Sequence, residues 1–340
     1  MIREVLEALL AGEELSEATM EECFVALMSG AWSEPQQAAF LVALRAKGET
    51  PGELAAAARV LRRLAVPVVC LRQPVVDTCG TGGDGSGSLN ISTGAALVAA
   101  SCGVAVAKHG NRSISSRCGS ADVLEALGVP LELEAEALGT LLDRTGFAFL
   151  FAPRLHPAMR AVMPVRRALA VRTLFNLLGP LANPAGVQRQ VVGVFSAQVQ
   201  PLVAETLARL GCEHAWVVHS EDGLDEISVS APTVVVEVRG GRVTGRWSVD
   251  PQEVGAGAAA AGALAGGSAA ENAARLLAIL RGEESGAAAD AVALNAGAAL
   301  VVAGTVASLE EGFAAAQDAL ARGAAWATLQ QVIAVAGELR

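Results

Sequence analysis

Lysine, histidine and closely spaced cysteine are scarce in this chain, and each shortage closes off a class of function. Only Lys47 and Lys108 are lysines among 25 basic residues, and 35 acidic residues leave a formal charge of −10. That balance argues against nucleic acid and acidic membrane surfaces as partners. Cys23, Cys70, Cys79, Cys102, Cys118 and Cys212 are far apart, with no C-x-x-C and no neighbouring His pair, so no zinc site is expected and the thiols read as reduced and mostly buried. Of the four histidines, His214 and His219 read as structural, while His109 and His156 sit in basic segments. The apolar runs at 97–106 and 296–306 are too short and interrupted to span a bilayer, and the N-terminus lacks a signal-peptide pattern, which points to the cytoplasm. No tandem repeat is present.

Two further absences narrow the ligand. Gly80-Thr81-Gly82-Gly83-Asp84-Gly85 satisfies G-x-G-x-x-G, but a dinucleotide site needs an acidic residue about 20 positions on to bind the ribose. None occurs between Asp84 and Asp122, and the next strand runs instead into Lys108-His109-Gly110-Asn111-Arg112. A P-loop is excluded as well, because no Gly-Lys-Ser/Thr closes the loop.

What is present is glycine. Gly80, Gly82, Gly83, Gly85 and Gly87 fall within eight positions, directly after the apolar run at 74–76. Without Cβ atoms such a loop reaches positive φ and can converge its N–H groups on phosphate oxygens. A helix beginning at 91–94, with Asn90, Ser92 or Thr93 as cap, would add free N–H groups and its dipole. Strand, glycine loop and helix start together predict a phosphate site.

Charge is unevenly placed. Between Asp143 and Glu205 no acid occurs, whereas Arg144, Arg154, Arg160, Arg166, Arg167, Arg172, Arg189 and His156 do, which suggests recognition of a small anion. Beyond a strand-like run at 215–218, His219 is followed by Glu221, Asp222, Asp225 and Glu226. Four carboxylates in six residues at a strand exit suit a hard cation such as Mg²⁺, which binds through one or two of them plus substrate phosphates.

The fold class expected is α/β, with a small all-helical unit preceding a larger domain. Helical spacing covers 1–66, with capping-box patterns at Ser33 to Gln36 and Thr50 to Glu53. From Val75 onward β-branched or aromatic runs at 104–107, 147–151, 191–195, 216–219 and 233–238 alternate with helical stretches, predicting a mainly parallel sheet flanked by helices. Arg239-Gly240-Gly241-Arg242 predicts a hairpin and one antiparallel strand at the side. The Ala/Gly-rich 255–267 segment reads as a loop, and Ser308 to Glu311 as another capping box.

Taken in order, Gly80 to Asp84, Asn90 to Thr93, Lys108 to Arg112, Gly119 to Gly128, Arg172 to Leu181 and Asp222 to Ser228 resemble the successive motifs of the anthranilate phosphoribosyltransferases. The resemblance spans essentially the whole chain, including its C-terminal helices with Asn295. Lys108 to Arg112 is its most specific part, since pyrimidine nucleoside phosphorylases share the architecture and glycine loop but differ there. Ser88 stands where threonine is usual, Cys118 where serine is frequent, and Ala170 where glycine is common.

The resemblance implies a nucleoside phosphorylase/phosphoribosyltransferase-like fold: a helical domain over 1–72 with a returning segment near 163–185, and an α/β domain over 73–340. It implies a pentosyltransferase of tryptophan biosynthesis that moves the phosphoribosyl group of phosphoribosyl pyrophosphate to the amine of anthranilate. Gly80, Gly83, Asp84, Ser88, Asn90, Ile91, Ser92, Thr93, Lys108, Ser116 and Ser120 would bind phosphoribosyl pyrophosphate. Gly80, His109, Asn111 and Arg166 would receive anthranilate, and Ser92, Asp225 and Glu226 would hold Mg²⁺. No residue is expected as a covalent nucleophile, and the resemblance implies a homodimer joined through the helical domain. Two alternatives stay in view: a pyrimidine nucleoside phosphorylase, disfavoured by Lys108 to Arg112 and by Asp225 with Glu226, and a nucleic-acid-binding relative, disfavoured by the net charge.

Overall fold

A computed structural model describes residues 2–113, 117–257, 259–260 and 262–340. Four helices come first: α1 (Ile2–Leu10), α2 (Glu17–Met28), α3 (Glu34–Lys47) and α4 (Pro51–Leu64). The expected start signals are in use. Thr50 and Glu53 close a reciprocal cap on α4, and the Gln36 side chain accepts from the Ser33 N–H at 3.0 Å to open α3.

The chain then alternates. β1 (Val75–Asp77), α5 (Ile91–Ser101), β2 (Ala105–Gly110), α6 (Ser120–Ala126), α7 (Ala135–Thr145) and β3 (Phe147–Phe151) are followed by three short helices, α8 (Ala152–Leu155), α9 (Met163–Leu169) and α10 (Phe175–Leu178). Next come β4 (Arg189–Gly193), α11 (Gln200–Arg209), β5 (His214–Ser220), β6 (Thr233–Arg239) and β7 (Arg242–Val249). Four helices end the chain: α12 (Ala269–Leu280), α13 (Ala287–Ala303), α14 (Leu309–Ala321) and α15 (Ala324–Glu338). At α14 the anticipated reciprocal cap is incomplete: Ser308 accepts from the Glu311 N–H, but the Glu311 carboxylate takes the Ala307 N–H instead.

The seven strands form one sheet in the order β3-β2-β1-β4-β5-β6-β7. Pairing is parallel from β3 through β5, and β6 and β7 close the edge as an antiparallel hairpin turned by Gly240 and Gly241 at positive φ. Alternation along β4 and β5 divides the core. Val191, Trp216 and Val218 face α5 and the C-terminal helices, while Val192, Val194 and Val217 join α11 and the N-terminal helices on the other face. The second cluster also takes in Val165 of α9, Phe175 of α10, and Leu174 and Leu181, so the 162–182 segment packs with the N-terminal helices.

Ala170 ends α9 at φ 51°, the one non-glycine residue at positive φ among those described. Its presence in place of glycine is therefore more than an exchange of one small residue for another. A Cβ in the left-handed region costs roughly 1 to 2 kcal/mol.

Candidate active site

The site forms where the sheet reverses its winding. β1 runs on through α5 to β2, while β4 lies against the opposite edge of β1, so the loops leaving the carboxyl ends of β1 and β4 part and open a crevice. Four segments lie at these strand ends: the glycine loop after β1, Gly110 and Asn111 at the end of β2, Gly193 to Phe195 at the end of β4, and the acidic turn after β5.

The loop needs its glycines for two reasons. Gly82, Gly83, Gly85 and Gly87 lie at φ between +62° and +79°, which L side chains resist. Gly80 has ordinary φ but close neighbours: a Cβ there would sit 3.0 Å from the Gly193 carbonyl oxygen, which already accepts the Thr81 N–H at 2.8 Å. The Thr81 hydroxyl accepts from the Phe195 N–H at 3.1 Å, and Arg172 stacks 4.1 Å from the Phe195 ring centre while donating to the Gly83 carbonyl. A built loop results. Gly83→Val should lower affinity for phosphoribosyl pyrophosphate by about five- to thirtyfold, since the lost loop conformation costs on the order of 1 to 2 kcal/mol, and leave the helical unit folded. Calorimetry alongside a melting curve reads both.

The first turn of α5 is more occupied than the sequence suggests. Ile91 N–H donates to Leu89 O, and Ser92 N–H to Glu226 Oε1 at 3.1 Å, so the anion at this helix start is the protein's own carboxylate. Asn90 occupies the cap position without capping through its side chain. Ile91 and Thr93 are buried behind it, and Ser86 links its hydroxyl to that of Ser88 at 3.1 Å.

Lys108 is buried at the centre. Its ammonium donates to Thr78 O at 3.1 Å, Thr78 Oγ1 at 3.2 Å and Ser92 Oγ at 3.2 Å, which uses all three hydrogens, while its charge bears on Glu226 and Asp77. A compact cation suits so confined a place better than a guanidinium.

Across from it stand three carboxylates. Asp84 accepts from the Asp225 N–H at 3.4 Å, and its charge bears on the Asp225 carboxyl. Burial, then the charges of Glu226 and Asp84, hold the Asp225 carboxyl well above the usual range. Burial pushes Glu226 up to about 7 against the opposing pull of Lys108 and Ser92. Among the described residues no three His, Cys, Asp or Glu side chains group tightly enough to hold an ion alone, so Ser92 or substrate oxygens would have to complete a Mg²⁺ shell.

The expected acceptor residues come from two directions. His109 Nδ1 lies 2.9 Å from Gly179 O, and Arg166 of α9 stacks 4.9 Å from the Phe175 ring centre, so one short segment, 175–179, supports both. Arg166 has no carboxylate partner among the described residues. Asn111 gives its side-chain oxygen to the Arg112 N–H and its carbonyl to Ser120 Oγ at 3.3 Å. Ser116 lies outside the described residues. The remaining arginines of the acid-free stretch divide: Arg144, Arg154 and Arg189 pair with Glu338, Glu134 and Glu213, whereas Arg172 reaches the glycine loop.

Several residues hold the site from behind, a role the sequence reading gave to none of them although it named Asn295 and His156. Asp77 is fully enclosed, accepts from the His109 N–H at 3.1 Å and Asn183 Nδ2 at 2.7 Å, and is pushed up to about 6 by burial. Asn295 brackets Ile227 with two 2.9 Å bonds and so anchors the chain just past Glu226. His156 packs 5.1 Å from the His109 ring, and burial holds both imidazoles neutral, at about 3 and about 4. Asp77 carried a signal in its place at the head of the glycine loop, and His156 in its basic segment.

Both parts of the chain match a glycosyl transferase family: residues 3–65 its helical bundle domain, and residues 72–326 its a/b domain. An anthranilate phosphoribosyltransferase of Rubrobacter xylanophilus is 50% identical, with 100% of this chain and 98% of that protein aligned. The crystal structure of the enzyme of that name from Thermus thermophilus superposes with a TM-score of 0.93 at 50% identity, covering 98% and 99% of the two chains. The Saccharomyces cerevisiae enzyme, solved with phosphoribosyl pyrophosphate and Mg, gives 0.91 at 25% identity over 99% and 98%. The chain belongs to the anthranilate phosphoribosyltransferase family.

Proposed function

We propose that this chain transfers the phosphoribosyl group of 5-phosphoribosyl 1-pyrophosphate to the amine of anthranilate, releasing pyrophosphate, as a Mg²⁺-dependent pentosyltransferase of tryptophan biosynthesis. The observation that carries the reading is the meeting of a glycine loop, a buried lysine and a half-buried acid pair at the sheet's switch point. Family membership supports it independently.

Mg²⁺ fits the donor set. Asp225 and Glu226 are half-buried carboxylates with Asp84 beside them; desolvation raises the proton affinity of Asp225 and Glu226, and Lys108 is already shared among Thr78, Ser92 and Asp77. Ser92, Asp225 and Glu226 would hold the ion, which when bound supplies positive charge to the leaving pyrophosphate.

The chain's own residues do the rest. Gly80, Gly83 and Asp84, with Ser88, Asn90, Ile91, Ser92 and Thr93, bind the pyrophosphate side. Lys108, Ser116 and Ser120 complete the phosphoribosyl contacts, with Lys108 acting through the Thr78 and Ser92 hydroxyls it holds. Departure of pyrophosphate leaves an oxocarbenium-like sugar that the anthranilate amine attacks, so placement of that amine replaces any covalent nucleophile from the protein. Orientation of that kind is worth roughly 7 to 11 kcal/mol in favourable cases. Gly80, His109, Asn111 and Arg166 place the anthranilate, and the neutral His109 keeps a second cation away from its amine.

Arg166→Ala should raise the KM for anthranilate about tenfold or more and leave that for phosphoribosyl pyrophosphate within about twofold, because a charge-assisted bond to the carboxylate is worth on the order of 1.5 to 3 kcal/mol. An unchanged anthranilate KM would remove Arg166 from the site. For the activity itself, anthranilate fluorescence and pyrophosphate release are followed together, with thymidine and phosphate as control. Turnover of the control pair alone would replace this reading with a nucleoside phosphorylase.

The division into a helical domain over 1–72 with a returning 163–185 segment and an α/β domain over 73–340 belongs to the same proposal, as do a homodimer and a cytoplasmic location. Exposed Leu10, Val25 and Val42 on α1 to α3 support the dimer, which light scattering would test. No helix among the described residues is long and apolar enough to cross a membrane.

A further inference from the structure

We propose that Asn272 of α12 is a positioning residue for phosphoribosyl pyrophosphate, acting by fixing the orientation of the Asn90 amide; this rests on the function proposed above. Asn272 is 3% exposed and lies 182 positions from Asn90 in sequence, yet its Nδ2 donates to Asn90 Oδ1 at 2.9 Å. Its Oδ1 accepts the Gly267 N–H at 2.6 Å, and Asn90 Nδ2 donates to the Cys118 carbonyl at 3.2 Å. The Cys118 thiol also touches Asn272.

This relay has one permitted direction. A backbone N–H can only donate, so Asn272 must turn its oxygen to Gly267 and its NH₂ group to Asn90. Asn90 must answer with its oxygen, which sends its own NH₂ group to Cys118, where a backbone carbonyl can only accept. Both ends are main-chain groups, and the amide orientations between them follow from hydrogen-bond polarity alone. Asn90 is left with one N–H to offer a phosphate, in a fixed direction.

The surroundings lock the same junction. Leu89 N–H donates to Leu264 O and Gly266 N–H to Gly87 O, both at 2.8 Å, so the 262–267 loop pairs with the last residues of the glycine loop. Gly266 leaves no room for a side chain, since a Cβ would fall 2.5 Å from the Ser88 carbonyl oxygen. The Ala/Gly-rich segment before α12 is thus part of the phosphate loop's support, and Asn272 ties the start of α12 to the start of α5.

Asn272→Asp separates this role from a merely structural one. A carboxylate at 272 still accepts the Gly267 N–H but cannot donate to Asn90. If Asn90 keeps its orientation, two oxygens face each other; if it turns over, its oxygen meets the Cys118 carbonyl and the N–H is lost to the ligand. Asn272→Ala removes the hold without enforcing the wrong orientation. The KM for phosphoribosyl pyrophosphate should therefore rise about tenfold or more in Asn272→Asp and only a fewfold in Asn272→Ala, with the anthranilate KM within about twofold in both. In an Asn90→Ala background, Asn272→Asp should add less than about twofold, because the two residues act as one unit.

Steady-state kinetics with both substrates, and melting curves of each variant, make the test. An equal rise in both KM values, an Asn272→Asp variant no worse than Asn272→Ala, or full additivity with Asn90→Ala would overturn the proposal. A wild-type chain that turns over no phosphoribosyl pyrophosphate would instead overturn the function on which it rests. If Asn272→Asp fails to fold, Asn272→Ala and its coupling to Asn90→Ala still decide.

Discussion

Replacing Asp225 by Asn and Glu226 by Gln together is expected to reduce kcat by several orders of magnitude while raising the melting temperature of the ligand-free protein at pH 8. The two effects have one cause. Both carboxylates are half-buried and desolvated beside other acids, so the folded state binds their protons more tightly than the unfolded chain does, Glu226 titrating at about 7 where an unburied glutamate would titrate at 4.5. A folded-state pKa raised in this way contributes stability that is complete below the unfolded value and lost as the pH rises through the folded one. The wild-type chain should therefore lose stability between about pH 4.5 and 7 from this pair, and the neutral double variant should not. Its advantage should shrink to nothing toward pH 4.5. In the wild type, protons should compete with Mg²⁺, so that apparent metal affinity falls as the pH drops below about 7. Melting curves from pH 4.5 to 8 and Mg²⁺ titrations of the rate check each part. A variant with wild-type rate and Mg²⁺ dependence would remove both residues from metal binding.

Gly193→Ala is expected to be nearly as damaging through a single methyl group. Gly193 ends β4 where the acidic turn crosses it, and a Cβ there would lie 1.5 Å from the Asp225 carbonyl oxygen. Nothing flexible can yield, because the contact is backbone and Asn295 pins the next turn of chain at Ile227. Either the Asp222 to Glu226 turn moves away, or the end of β4 does, and with it the Thr81 bond that seats the glycine loop. Overpacking of this kind costs typically 1 to 3 kcal/mol, so the variant should fold with a lowered melting temperature. Mg²⁺-dependent binding of phosphoribosyl pyrophosphate should be lost, and calorimetry would show it. Normal binding would mean that the turn adjusts freely.

Much of this protein is legible in its residues alone. The run at 147–151 coincides with β3 to the residue, and the hairpin at Gly240 and Gly241 follows from its turn, because aromatic runs and turn glycines act over a few neighbours. The glycine loop and the acidic turn stand out for the same reason: their chemistry is concentrated in consecutive residues. Less legible are contacts that close over long stretches of chain. Asp77 with Asn183, Asn90 with Asn272, and Ile227 with Asn295 are separated by 106, 182 and 68 positions, and each is a lone polar residue in an apolar or alanine-rich setting or the backbone it holds. No local pattern marks such a residue as a partner.

The α5 start shows where the two levels part. Sequence patterning determined that a helix begins beside Asn90, since helix start signals are local. That its Ser92 N–H already faces Glu226, that Asn90 spends its side chain on Asn272 and Cys118 instead of capping, and that Lys108 is shared among Thr78 and Ser92 oxygens were decided by tertiary packing alone. The sequence by itself determined the elements, the phosphate loop and the acids at the strand exit, because propensity, φ preference and charge belong to individual residues and their neighbours. The tertiary structure decided which polar groups meet and how much charge each enclosed acid carries, because hydrogen-bond pairing and desolvation depend on everything that surrounds a group, and those surroundings come from the whole chain.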